Sequence, residues 1–511
     1  MTSANIGMMI SMVAYLLGML LIGFMLTDRN ETVGDFYLGG RKLGPFVTAM
    51  SAEASDMSSW LLMGLPGVAY LTGVADAGWT AIGLAIGTYL NWRVVAKRVR
   101  NYTEATDSIT LPAFFSDRYG DRKRLLTLVS AVMIVIFFIP YTGSGFAACG
   151  KLFSSLFGMD YHLAMILSAL VIIGYTSLGG FLAASTTDLI QSIIMSAALL
   201  IILIFGVSVA GGFDQVIANA KGLAGYLSMT ASHDPLSGGA NPYGIITIIS
   251  TMAWGLGYFG MPHILLRFMA IEDDRKLKLS RRIATVWVVI SMGVAIFIGV
   301  VGLGMTKVGA VENLTGSRSE TIIVQIASLL SKNSFGAALL AGVVLSGILA
   351  STMSTADSQL LAASSSISND IMFDVFHIHI TDKQQMYIAR VTLLVISLVS
   401  ILIAWDSDSS VFQIVSFAWA GFGASFGPVV LLALFWRRSN RYGAFAGMLC
   451  GGIMVFVWKY LVRPMGGGWN IYELLPAFLI AILANVIVSL ATPAPNVEIT
   501  SVFDEVSKMQ K

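Results

Sequence analysis

The chain has 511 residues, 56% of them hydrophobic and only 12% charged, against about 25% charged in a soluble domain. Its mean hydropathy is +0.78, and apolar runs of about 20 residues recur along nearly its whole length, so it reads as an all-α polytopic membrane protein. A net charge of +2, with the basic residues in short loops, excludes nucleic acid as a partner, and two cysteines in apolar segments, Cys149 and Cys450, exclude a disulfide framework.

The first apolar stretch, 6–26, lacks the basic leader of a secretory signal and is long enough to span. Thirteen spans are predicted in all, near 6–26, 45–73, 77–95, 125–148, 162–182, 188–210, 243–268, 283–305, 335–367, 386–405, 411–436, 441–462 and 473–492. With the N-terminus outside and the C-terminus inside, the inner segments hold 24 of the 31 Lys and Arg residues, from Arg29, Arg41 and Lys42 to Lys508 and Lys511. The outer segments keep only Lys151, Lys221, Lys307, Arg318, Lys332, Lys459 and Arg463. One miscounted span would alternate the sign of every loop beyond it. No loop is long enough for a catalytic domain, the longest being 211–242 and 306–334 outside and 96–124 and 268–282 inside. The function therefore resides in the membrane, in the surrounding lipid bilayer of the cell.

The second span carries Ser51-Ala-Glu-Ala-Ser-Asp-Met-Ser-Ser-Trp60, then Gly64-Leu-Pro-Gly67. Glu53 and Asp56 are ionisable residues at membrane depth, and such residues point to function unless they sit at the interface. The serines around them favour local turns over continued helix. A helix interrupted there leaves backbone groups that are tolerated only if they line a cavity or bind something. The seventh span opens with Trp254-Gly-Leu-Gly-Tyr-Phe-Gly-Met-Pro-His263, where three glycines and a proline loosen the helix. Its GxGxxG match, and the GxSxG at Gly423–Gly427, sit in apolar helix without the strand contexts those motifs need. The five histidines, His162, His233, His263, His377 and His379, fall in no catalytic motif. No enzyme is indicated.

In the ninth span Ser351, Ser354, Thr355 and Ser358 share one helical face at i, i+3, i+4, i+7 spacing. Such a face either lets helices pack closely or offers oxygens to a hard cation such as Na⁺. Gly443, Gly447 and Gly451 in span twelve read as packing alone. The interrupted second and seventh spans lie five apart. That spacing suggests a five-helix repeat over 45–210 and an inverted second repeat over 243–436. The first helix and inner loop (1–44), an outer loop (211–242), and two final helices with a short tail (437–511) would be accessories. Inverted repeats with broken first helices are the LeuT-type plan of many secondary transporters, whose site lies between the halves.

These residues resemble the solute:sodium symporter family along essentially the whole chain, and most of all its bacterial proline-transporting branch. The resemblance rests on Asp35-Phe-Tyr-Leu-Gly-Gly-Arg-Lys-Leu-Gly-Pro45, the Ser55–Gly67 string, Tyr175-Thr-Ser-Leu-Gly-Gly-Phe181 with Thr187-Asp188, Trp254–Gly260 with Pro262-His263 and Arg267-Phe-Met, and Met353-Ser-Thr-Ala-Asp-Ser-Gln-Leu-Leu361. It implies sodium-coupled uptake of L-proline by alternating access, without a cofactor or an obligatory protein partner. It implies a sodium site made by the backbone carbonyls of Ala54, Met57 and Ser351 and the hydroxyls of Ser354 and Thr355, with Asp56 shaping the local field. It implies a proline site at Ser58, Tyr141, Trp254, Tyr258 and Pro262, and gating or coupling roles for Arg41 and Asp188. Two positions depart from the family pattern: Ser59, where Gly is frequent, and Ser351, where Ala is common. The rival reading is a sodium symporter of the same fold for another amino acid, a carboxylate, a vitamin or a sugar.

Overall fold

The computed structural model of the chain describes residues 2–26, 33–378 and 381–509. Arg29, His379 and Lys511 lie outside the described residues, as do the side chains of Tyr175 and Leu178. Nine described helices are long and apolar enough to cross a bilayer, and the pair Ile245–Gly260 and Pro262–Ala270, bent by 47°, makes a tenth crossing.

That count is lower than the thirteen expected, and the difference has a local cause. Three expected spans, 45–73, 77–95 and 162–182, run through backbone interruptions that shorten their regular helix. Helix α1 (Ser3–Leu26) is followed by α2 (Pro45–Ser59), which breaks at Ser58 and resumes through a π turn as α3 (Leu65–Thr72). Helix α4 (Val74–Leu90) ends in a second π turn at Asn91–Val95. After α5 (Leu125–Phe157), the 49 residues of α6 (Tyr161–Val209) turn back at Gly180, whose φ of 63° only glycine holds without strain. The two ends of α6 meet one side of the molecule: the Tyr161 hydroxyl donates to Ala404 O (2.8 Å), and Ala210 packs by Gly304. Phe181, just past the turn, lies at the opposite side against Gly39 and the Arg267 guanidinium.

The second half repeats the theme. Helix α7 (Ile245–Met252) tightens into a 3₁₀ turn over Ala253–Gly260, becomes extended at Met261, and restarts as α8 (Pro262–Ala270) with Pro262 at a first-turn position, where its missing N–H costs nothing. Then come α9 (Leu277–Lys307), α10 (Phe335–Ser365), α11 (Asp382–Ile403), α12 (Val411–Phe435), α13 (Arg441–Val457) and α14 (Leu474–Ala491). Both interruptions fall inside the segments where serine, glycine and proline predicted them. The glycine stripe of α13 packs as expected: Gly443 and Gly447 face Ser489 and Asn485 on α14, and Gly451 faces the backbone of Ala424 on α12.

The loop 211–242 carries a short helix at Phe213–Lys221 and a two-stranded antiparallel ribbon pairing Ala231–His233 with Ala240–Pro242. Tyr226 stitches it to the end of the broken second span, donating from its hydroxyl to Tyr70 O (2.9 Å) and accepting at its carbonyl from the Val74 N–H (2.9 Å). The tail forms an amphipathic helix, α15 (Val497–Lys508), clamped on the basic side of the molecule. Phe503 lies under the guanidinium groups of Arg98 and Arg118, at 5.5 and 4.9 Å. Asp504 pairs with Arg437 (2.9 Å), which holds its carboxyl below the usual range.

A leucine at Gly447 would drive into Asn485 and Ala481. Gly447→Leu is expected to cost about 1–3 kcal/mol, seen as an earlier melt of the purified protein in detergent. Gly293→Leu, where an added Cβ meets nothing within 4 Å, is expected to leave the melt unchanged.

Candidate functional site

Ser58 holds φ 49° and ψ −170°, a conformation that costs a non-glycine residue about 1–3 kcal/mol. Its hydroxyl accepts from the Trp60 N–H (3.1 Å), the local bond that competes with helix. Every residue from Thr48 to Ser59 is buried, so the carbonyls released by the break need partners within the protein. Two of them find partners on other helices. Ser354 Oγ donates to Ala54 O (2.8 Å), and Tyr141 Oη donates to Asp56 O (3.0 Å). Met57 O takes the Trp60 N–H.

The hydroxyl face of α10 meets this break directly. Ser354 Oγ also lies 3.3 Å from Ser351 O, and Thr355 Oγ1 donates to the same carbonyl (3.0 Å). Ala54 O, Ser351 O, Ser354 Oγ and Thr355 Oγ1 thus form one linked, buried oxygen set. A hydroxyl that donates its hydrogen here has two lone pairs to present if it turns, and several neutral oxygens close together suit a hard cation. The Asp56 side chain is not in that set. Its Oδ2 accepts from the Tyr258 hydroxyl (2.6 Å), so it bridges the two interrupted spans while its own carbonyl is held by α5.

Two small cavities adjoin the break and share Tyr141. One lies among Asp56, Met57, Trp60, Trp254 and Trp419, the other among Ser58, Ser59, Thr142, Thr355 and Gln359. Each offers about 10 Å³, about enough for one water molecule. Trp254 heads an aromatic cover over the first cavity, with Trp60 at 5.6 Å, Phe412 at 5.4 Å and a stacked Tyr472 at 5.3 Å between ring centroids. Gly257 allows the cover to close, since any Cβ there would enter the Trp419 indole, whose Nε1 donates to Trp254 O (2.7 Å). Of the five expected solute contacts, Ser58, Tyr141 and Trp254 line these cavities and Tyr258 reaches them through Asp56. Pro262 lines neither.

Asp188 and Arg41 sit elsewhere. Asp188 Oδ2 accepts from Ser51 Oγ (2.6 Å) and pairs with Arg267 (3.1 Å), both residues being fully buried. Arg267 further donates to Ser51 Oγ (3.0 Å), His263 O (3.0 Å) and Ser358 Oγ (2.5 Å), joining α2, α6, α8 and α10. Arg41 donates to the carbonyls of Met269 (2.8 Å), Thr103 (3.0 Å) and Ser108 (2.9 Å), a staple across the basic end. Glu53 is buried within the protein and accepts from the Trp92 indole (3.0 Å) at the second π turn.

Sequence reasoning quoted Arg267 in a motif without assigning it a place in the site, although an arginine within an apolar span is itself a signal. It missed Trp419 and Gln359, which carry no such mark. It also missed the buried pair Lys151–Glu320 (2.8 Å) at the end opposite Arg41, where Glu320 accepts from the first N–H groups of α12.

Residues 36–451 match the profile of the Sodium:solute symporter family. The chain is 41% identical over 488 residues to the high-affinity proline transporter PutP of Bacillus subtilis (strain 168), covering 95% of this chain and 98% of that protein. It is 40% identical over 501 residues to the sodium/proline symporter of Escherichia coli (strain K12), covering 98% and 96%. Among solved structures, a Na⁺-coupled sialic acid symporter in a substrate-bound outward-open state aligns over 96% of this chain and 99% of that one, with a TM-score of 0.79 at 18% identity. MhsT in complex with L-phenylalanine aligns over 88% and 99%, with a TM-score of 0.52 at 13% identity. At those identities the likeness is one of fold, and that fold is the LeuT-type plan expected from the two interrupted spans.

Arg267→Met leaves Asp188 buried without its cation and is expected to cost about 3–5 kcal/mol. The double variant Arg267→Met with Asp188→Leu removes both charges and should lose clearly less than the two singles combined. A double-mutant cycle of detergent melts reads this, and strict additivity would mean that the pair is not coupled.

Proposed function

Because this chain belongs to the sodium:solute symporter family, we infer that it is a membrane transporter that couples the uptake of L-proline to sodium. The observation that carries the substrate is the identity of about 40% over nearly the full length of several sodium/proline symporters. Sodium binds to the carbonyls of Ala54, Met57 and Ser351 and the hydroxyls of Ser354 and Thr355, with the Asp56 charge nearby. The hydrogen bonds that already link Ala54, Ser351, Ser354 and Thr355 support this assignment. An ion entering the set replaces hydroxyl donors at the carbonyls, and so favours the arrangement of α2 against α10 that best surrounds it.

Proline binds beside the break at Ser58, against Tyr141, Trp254 and Tyr258, with Pro262 setting the restart of the seventh span. Its carboxylate suits the unpaired N–H groups where a half-helix begins. Its apolar ring packs on aromatic faces, and its secondary ammonium takes carbonyls or a ring face. Cavities with room for about one water molecule cannot admit a solute of that size, so binding goes with separation of the spans around Trp254. The cycle is then alternating access: one bundle rocks against the rest, with Asp188 (through Arg267) and Arg41 coupling or gating at the basic end. The inverted repeats over 45–210 and 243–436 enclose the site between them, the basic end faces the cytoplasm, and the N-terminus lies outside. For one Na⁺ per zwitterion, 100 mV supplies about 2.3 kcal/mol. A tenfold sodium gradient adds about 1.4 kcal/mol.

The test is radiolabelled L-proline uptake into proteoliposomes under an imposed sodium gradient or equimolar potassium. Sodium-dependent accumulation is expected in the wild type and its loss in Asp56→Ala. Ser354→Ala and Thr355→Ala are each expected to raise the half-saturating sodium concentration about tenfold, the equivalent of about 1.4 kcal/mol. Uptake indifferent to sodium would sink the symport reading. Sodium-dependent protection by a different solute, with no proline flux, would move the substrate and keep the mechanism.

A further inference from the structure

A groove of about 620 Å³, within the usual range for small-molecule sites, opens on the bilayer-facing surface between α2, the second limb of α6 and α9. Met50 and Leu199 form its buried floor, and Phe46, Ile193, Val286 and Ile290 its exposed walls. The polar groups of its lining are already engaged within the protein. The Trp287 indole donates to Ser196 Oγ (2.9 Å), Ser196 Oγ to Ser192 O (2.8 Å), and Ser291 Oγ to Val288 O (3.2 Å). The remaining polar lining group is the guanidinium of Arg282.

Of its basic neighbours, Arg275 pairs with Asp273, Lys276 with Glu272, and Arg281 lies over the Tyr89 ring, while Lys278 stands one turn before Arg282, away from the groove lining. Arg282 is exposed and has no hydrogen bond or ion pair among the described residues. Lys278, Arg282, Val286, Ile290 and Val294 follow one another at i+4 steps, a single ridge of α9 that turns from basic to apolar. From Arg282 to Val294 that ridge rises about 18 Å. One leaflet of a bilayer with a 30 Å hydrocarbon core is about 15 Å deep.

We propose that this groove is a binding site for an anionic phospholipid of the surrounding bilayer, with the headgroup phosphate on Arg282 and an acyl chain laid along Val286 to Val294. A guanidinium takes a phosphate through two parallel hydrogen bonds, and the unbalanced charge at the rim selects an anionic headgroup over a zwitterionic one. A second protein copy would need an acidic group to cover Arg282, and an uncharged apolar solute would leave it bare. The lipid touches the back of the transport machinery: Phe46 and Met50 lie on the helix that ends at Ser58, and Ile193 lies five residues beyond Asp188. On the transport reading above, occupancy would brace α2, the helix that carries the break, against α6 and α9. The binding itself does not rest on that reading.

The experiment uses the full chain in phosphatidylcholine nanodiscs doped with a diazirine-tailed phosphatidylglycerol or the matching phosphatidylcholine probe, with cross-linked peptides mapped by mass spectrometry. Labelling by the phosphatidylglycerol probe should concentrate on residues 283–294 and 193–200, about fivefold above the phosphatidylcholine probe, as about 1 kcal/mol per basic side chain requires. Arg282→Ala should erase that preference, Arg282→Lys and Arg281→Ala should keep it, and Ile290→Trp, which fills the groove without changing charge, should displace both probes. Equal labelling by the two probes overturns the proposal, as does labelling spread evenly onto other bilayer-facing rows such as Leu394–Leu402. A dimer whose groove is shielded from both probes would assign the face to a second copy instead.

Discussion

Everything in this molecule follows from a backbone broken where water cannot repair it. At Ser58 the helix gives up its own hydrogen bonding in a segment buried on every side, and each carbonyl it abandons would cost several kcal/mol if left bare in hydrocarbon. The chain answers with side-chain donors from two other helices, Ser354 for Ala54 O and Tyr141 for Asp56 O. Both donors are hydroxyls. A hydroxyl can surrender a carbonyl to a cation and then bind the same cation through its own lone pairs, which an N–H cannot do. The structural repair and the proposed sodium site therefore share Ala54 O and Ser354 Oγ.

The two sides of the break are built from different materials. Towards the Lys151–Glu320 end the cover is aromatic, a cluster around Trp254 whose ring contacts each add about 0.5–1.5 kcal/mol beyond area burial and tolerate rearrangement. Towards the basic end the seal is ionic: Arg267 bonds Asp188, Ser51 and Ser358 at once, and a buried network of that kind has few alternative geometries. Glu320 fixes the frame of the aromatic side by capping the start of α12, the helix that carries Phe412 and Trp419. A soft cover and a stiff seal on opposite faces of one pocket give the two ends unequal opening costs, which is what a cycle with a preferred resting state needs.

What could be read from the sequence was local. Serines around Asp56 and glycines with a proline around Tyr258 mark the two breaks within a few residues, and the spacing of Ser351, Ser354, Thr355 and Ser358 marks the face that meets the first of them. What could not be read was pairing. Nothing in the order of residues says that Ser354 meets Ala54, that Arg267 finds Asp188, or that Asp56 turns its side chain to Tyr258 and its carbonyl to Tyr141, because each joins segments 79 to 300 positions apart. The number of uninterrupted helices could not be read for a related reason. Hydropathy sees apolar length, and the interruptions at Ser58, Asn91 and Gly180 alter backbone geometry without altering it. Pro262, which the sequence marks as a helix breaker, stands in the first turn of the restarted helix.

The energies at the break are matched to the gradients proposed to drive it. Parting α2 from α10 and α5 gives up the Ser354–Ala54 and Tyr141–Asp56 bonds, each worth about 0.5–1.5 kcal/mol net. One sodium ion moving down 100 mV and a tenfold gradient releases about 3.7 kcal/mol. Bonds of that size hold the helices together at rest yet yield to a single ion. Had the broken span been sealed by buried ion pairs such as Arg267–Asp188, whose disruption costs about 3–5 kcal/mol each, one sodium could not have opened two of them. The ionic network is instead placed one step away, where Arg267 ties Ser51 of α2 to Asp188 of α6 and Ser358 of α10, so that it sets the cost of opening the basic end and not the cost of loading the oxygen set.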